Sequence, residues 1–110
     1  MILADFTKNS ADNIISFTIS GHADYGEYGQ DIVCSAVSAL AFSTINSIDH
    51  FLDINFKLDI KETEEGYLSA SFDEKSSDSQ LQLLLNNLFL GLEGIQEEYF
   101  KYIKLNLNQE

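Results

Sequence analysis

From Asn13 to Ser20 the chain alternates, with Ile15, Phe17 and Ile19 on one side and Ser16, Thr18 and Ser20 on the other. An extended backbone sends successive side chains to opposite faces, so this period of two predicts a half-buried strand. The apolar run Ile2 to Thr7 precedes it and is closed by Lys8-Asn9-Ser10, which reads as a first strand and a turn. So short a connection predicts an antiparallel hairpin. Alternation returns at Asn55–Lys61, with Phe56, Leu58 and Ile60 inward, and at Gly66–Phe72, through Tyr67 or Leu68, then Ala70 and Phe72. The polar stretch Glu62 to Gly66 between them is a turn, giving a second hairpin. Tyr102 to Leu107 alternates as a last strand.

Two segments follow the helical period instead. Between Ile32 and Leu52 nothing breaks a helix, and Val33, Val37, Leu40, Ala41, Ile45 and Ile48 belong to a wide apolar arc. The polar positions of that segment are small and uncharged until Asp49, which predicts a mostly buried helix. Asp31, just ahead, is a good N-cap residue. After the polar break Lys75–Ser79, Gln80 to Glu98 places Leu81, Leu84, Leu85, Leu88, Phe89, Leu92 and Ile95 at helical spacing. Gly91 and Gly94 weaken this helix but allow a neighbour to approach. The expected fold is therefore α+β, in the order β-β-α-β-β-α-β. It is an antiparallel sheet of about five strands with two helices on one face, in a single domain covering residues 1–110.

Composition narrows the function. The 110 residues are 45% hydrophobic, enough for one core, and carry a net charge of −12. Six Lys and Arg against eighteen Asp and Glu cannot supply the phosphate contacts that drive nucleic-acid binding. The acidity either keeps a small protein soluble or attracts a basic protein or peptide. No apolar run is expected to approach the roughly 20 residues that cross a bilayer, and the N-terminus lacks the pattern of a signal peptide. One cysteine excludes an intrachain disulfide and a cysteine-cluster metal site. The expectation is a cytoplasmic, reduced protein with no metal, cofactor or membrane partner.

Chemistry concentrates between Gly21 and Val37, GHADYGEYGQDIVCSAV, which holds the only cysteine, one of two histidines and three of six glycines. A free cysteine is commonly an inert buried hydrophobe. Were Asp31 the cap, however, Cys34 would lie in the first helical turn, where unpaired N–H groups favour a thiolate. His22 follows the glycine that ends the second strand, and the loop after it must return to the helix start. A Cys–His pair in reach is the minimal unit of thiol nucleophilic catalysis, and Asp31 is placed to orient the imidazole. Tyr25 and Tyr28 either line a peptide groove or pack the loop, whose flexibility comes from Gly26 and Gly29. Ser38, one turn beyond Cys34, bonds either near the site or within its own helix. His50, near the end of the helix, is better placed to meet terminal carbonyls than to do chemistry.

Gly21-His22-Ala23 together with Gly29-Gln30-Asp31-Ile32-Val33-Cys34-Ser35-Ala36-Val37-Ser38 resembles the signature of the ribosomal-processing cysteine protease family, Prp. The likeness extends over the whole chain, including Glu98 to Lys104, and departs from the family pattern at Ser35 and Phe100. It implies a bacterial cytoplasmic homodimer that removes the N-terminal extension of large-subunit ribosomal protein twenty-seven during ribosome assembly. It further implies His22 and Cys34 as a catalytic dyad, Asp31 as a supporting residue, and Gly21 to Gln30 as a mobile loop over substrate. The alternative, from another class, is a non-catalytic acidic adaptor for basic ribosomal proteins, with Cys34 buried.

Overall fold

The computed structural model of the chain describes residues 1–21, 28–61 and 66–110, with side chains described throughout except at residues 28–31 and 74. In chain order the elements are β1 (Ile2–Lys8), β2 (Ile14–Ser20), α1 (Tyr28–Phe51), β3 (Lys57–Lys61), β4 (Tyr67–Ser71), α2 (Ser79–Glu98) and β5 (Ile103–Gln109). A 3-10 turn at Asp73–Lys75 precedes α2. This is the expected α+β succession. The strands form one sheet in the order β3-β4-β2-β1-β5.

Three of the four pairings are antiparallel, and β5 joins β1 in parallel. The parallel edge follows from connectivity. Both β2-α1-β3 and β4-α2-β5 join strands that run the same way, and each passes over the strands between. Because β2 and β4 are antiparallel neighbours and the two crossovers head for opposite edges, a right-handed path in each puts both helices on one face. The helices accordingly pack on each other.

The core lies between that helical pair and the sheet. Ala4 pairs with Ile19 and Phe6 with Phe17, while Phe17 and Ile19 face Ala70 and Leu68 across the next ladder. Phe6 stacks on Phe17 with centroids 5.4 Å apart and receives Phe89 of α2 edge-on at 5.1 Å. Val33, Val37, Ala41, Ile45 and Ile48 bring the buried stripe of α1, and Leu81, Leu85, Leu88 and Leu92 that of α2. The other sheet face is polar, with Thr18 and Ser69 hydroxyls 3.0 Å apart and Asn106 Nδ2 donating to Asp5 Oδ1 at 2.8 Å.

Several expectations need correction. Ile14, and not Ile15, is fully buried at the start of β2, because the β1–β2 register shifts at Thr7/Lys8. Such an irregularity re-aims side chains beyond it. Leu58 and Ile60 point inward by pattern yet are 42% and 44% exposed. They sit on β3, one of the two edge strands, and the fully buried core draws on every strand except that one. Of the two alternatives in β4, Leu68 is the buried one, alongside Ala70, and Tyr67 is only half-buried. The helix α1 begins at Tyr28, four residues before the expected start, so Asp31 lies within its first turn and is not its cap. Without proline, the single Gly29 costs only about 1 kcal/mol and does not stop the helix. Finally, Ile32–Phe51 is long and apolar enough to cross a membrane by length and composition, contrary to the expectation that no run approached that length. Here one side of it packs on the sheet.

Candidate active site

The helix α1 buries Val33, Val37 and Ala41 as one stripe. Cys34 follows Val33 by one residue, about 100° around the helix, and so faces the border between helix and sheet. Ser38 lies one turn further along the same flank and is exposed. Opposite them the sheet contributes Gly21 from the end of β2, Ile60 from β3, and Tyr67 and Leu68 from β4. Together these residues line a groove of about 390 Å³ that ends at Phe42. Cys34 is a free thiol, half-buried on the groove wall.

Gly21 is fixed by its surroundings. Its backbone has φ +92°, and its N–H donates to the Gly66 carbonyl at 3.3 Å. A Cβ at this position would collide with the Met1 carbonyl oxygen. Only glycine combines that dihedral with that approach. The end of β2 is thus held between the first residue of the chain and the start of β4, on the same groove as Cys34. His22 comes next in sequence; with Tyr25 and Gly26 it lies outside the described residues.

Tyr28 and Gly29, expected in the loop, are helical residues of α1. Starting the helix there makes Cys34 its seventh residue, in the second turn and not the first. Orphan N–H groups belong to the first four residues, and the dipole effect fades within that turn. The Cys34 amide therefore sits inside the helical ladder, and the unpaired donors lie about 4.5 Å or more earlier along the axis. His50 is in the last turn of α1, edge-on to Phe51 at 4.7 Å, well along the helix from Cys34.

Sequence reasoning missed four members of the groove wall. Phe42 falls eight residues after Cys34, off the buried stripe, and is 42% exposed. A large aromatic interrupting a row of Ser and Ala was the available signal. Ile60 was read as core, whereas its place on an edge strand turns it into a wall. Lys61 and Tyr67, cross-strand partners, also line the groove, with the Lys61 ammonium 4.8 Å from the Tyr67 ring centroid.

Comparison with known proteins identifies this arrangement. Residues 1–104 match the family model described as cysteine protease Prp. The ribosomal processing cysteine protease Prp of Staphylococcus aureus is 34% identical over 110 residues, covering 96% of this chain and 98% of the relative. Two crystal structures of an essential ribosomal processing protease Prp from S. aureus also align over 98% of this chain and 100% of theirs. One is in complex with a substrate peptide, at TM-score 0.84 and 32% identity. The other holds a covalently linked product peptide, at TM-score 0.82 and 33% identity. The chain belongs to the cysteine protease Prp family, and it is a cysteine protease.

Proposed function

We propose that this protease removes the N-terminal extension of large-subunit ribosomal protein twenty-seven, with Cys34 as nucleophile and His22 as its base. The observation that carries the reading is the position of Cys34. It is the chain's only cysteine, and it lies half-buried on the wall of a groove shared with Gly21, the residue that leads into His22. The S. aureus relative with its covalently linked product peptide supports a covalent route.

In this mechanism the His22 imidazole takes the Sγ proton, and the thiolate attacks the scissile carbonyl carbon. Collapse of the tetrahedral intermediate breaks the C–N bond, and the imidazolium returns its proton to the leaving amine. Water, deprotonated by His22, then attacks the thioester carbonyl and releases the new carboxylate and the thiol. With Cys34 in the second helical turn, its own amide is tied into the helix. Oxyanion donors are accordingly assigned to the free N–H groups of the first turn of α1, with Asp31 in a supporting role.

The excess of acidic residues favours a basic ribosomal protein as substrate and disfavours nucleic acid. A lone free cysteine suits a reducing, cytoplasmic setting. The exposed apolar residues of the two helices support a homodimer through the helical layer. No observation favours a non-catalytic adaptor, which would keep Cys34 buried.

The test incubates the purified protein with the extended ribosomal protein. Cys34→Ala is expected to abolish cleavage, and His22→Ala to slow both cleavage and iodoacetamide labelling of the native thiol. Cleavage that survives Cys34→Ala would sink the assignment.

A further inference from the structure

The groove does not stop at the nucleophile. From Cys34 it extends along α1, and its wall includes two apolar side chains, Phe42 on the helix and Ile60 on β3. Both are more than 40% exposed, at 42% and 44%. Past them the boundary between α1 and β3 continues as a second depression lined by Ile45 and Leu58, the latter also 42% exposed. The core-facing side of β3 is thus apolar but uncovered, and the uncovered strip leads directly to the thiol.

Distance gives this strip a register. Eight helical residues separate Cys34 from Phe42, or about 12 Å at 1.5 Å per residue. An extended peptide advances about 3.3 Å per residue, so the Phe42–Ile60 pair stands three to four residues from a scissile bond held at Cys34. A cleft of this form takes a side chain that is apolar and large, because only such a group removes both walls from water. The occupant is a peptide, as in the S. aureus relative crystallised with its substrate peptide.

We propose that Phe42 and Ile60 form a specificity subsite for a bulky apolar side chain three or four residues from the scissile bond. The proposal rests on Cys34 being the nucleophile, since the register is counted from its sulfur. Lys61 and Tyr67 border the groove with polar atoms and leave the apolar selection to the Phe42–Ile60 pair. Their cation–π contact holds the β3–β4 ladder on which Ile60 stands.

The experiment profiles the wild-type enzyme with a randomised peptide library and then compares matched peptides carrying Leu or Ala at the preferred position. Expected is a preference for large apolar residues three or four positions from the cleaved bond, with Ala reducing kcat/KM about 10- to 100-fold. Phe42→Ser and Ile60→Ser are expected to cut that Leu/Ala ratio to near one, with the loss falling on the Leu peptide. Both side chains are substantially exposed, so neither substitution opens a core cavity, and an unchanged thermal midpoint verifies that the fold persists. A library profile flat at those positions, or variants that keep the wild-type ratio, would overturn the subsite. The nucleophile assignment is judged separately. If Cys34→Ala still cleaves, that assignment falls and the register with it; if Cys34→Ala is inactive and the ratio is unmoved, only the subsite falls.

Discussion

At the level of single residues, Gly21 links chain geometry to chemistry most directly. Its left-handed backbone and its approach to the Met1 carbonyl leave no room for a Cβ, at the point where β2 hands over to His22. Gly21→Ala is therefore expected to cost about 1–3 kcal/mol in urea unfolding and to lower protease activity by more than the loss of folded protein explains. A variant with wild-type activity and stability would show that the turn tolerates a side chain and is no positioning element. Gly91 is a milder case. A Cβ there would stand 3.1 Å from Leu40 Cδ1, a flexible side-chain end that can move aside. Gly21 itself was legible in the sequence as the end of a strand before a histidine. The Met1 carbonyl that makes it obligatory was not, because the contact joins residues twenty positions apart through the sheet.

Among the elements, α2 and β2 are locked by one side chain. Gln82 Oε1 accepts from the Ile14 amide at 2.8 Å, and Nε2 donates to the carbonyls of Ile14 and Ser76, each at 2.8 Å. Three backbone groups, two at the irregular start of β2 and one ahead of α2, are satisfied by a single amide, and Asp78 caps the same helix by accepting from the Leu81 amide at 2.9 Å. Removing the amide orphans all three at once, so Gln82→Ala is expected to destabilise the fold by about 2–3 kcal/mol. Gln82→Glu, which keeps the acceptor but loses the donor, should fall between; a loss under about 0.5 kcal/mol for Gln82→Ala would refute the lock. Helical period showed that α2 exists and which face it buries, but a polar Gln gave no sign of its distant partners. The start of α1 shows the complementary limit. Asp31 looks like a cap by residue type, yet nothing after Tyr28 forbids a helix, and α1 runs back past Asp31 to Tyr28.

For the molecule as a whole, the helical layer leaves Phe51, Leu83 and Leu90 at 75%, 70% and 67% exposure. Those side chains lie on the outer surface of a protein that otherwise presents many charges, and their burial in a second copy is the basis of the proposed dimer. Light scattering at micromolar concentration should give twice the chain mass of 12.4 kDa. A mass of one chain at that concentration would count against the dimer.

What the sequence determined alone was local and periodic: five strands, two helices, the faces they bury, and the motif pair around His22 and Cys34. The strands and helices follow from side-chain spacing of two or about 3.6, which each segment carries within itself, and the motif pair from residue identity and the family resemblance. Tertiary structure decided the rest. It made β3 an edge, turning Leu58 and Ile60 from expected core into a groove wall, and it set β5 parallel to β1 through a crossover. It also moved Cys34 from the first helical turn to the second and set it on the border with the sheet. Strand order, exposure at an edge and the width of a cleft depend on which elements become neighbours. That is settled by the joint burial of all their apolar faces, and no single segment contains it.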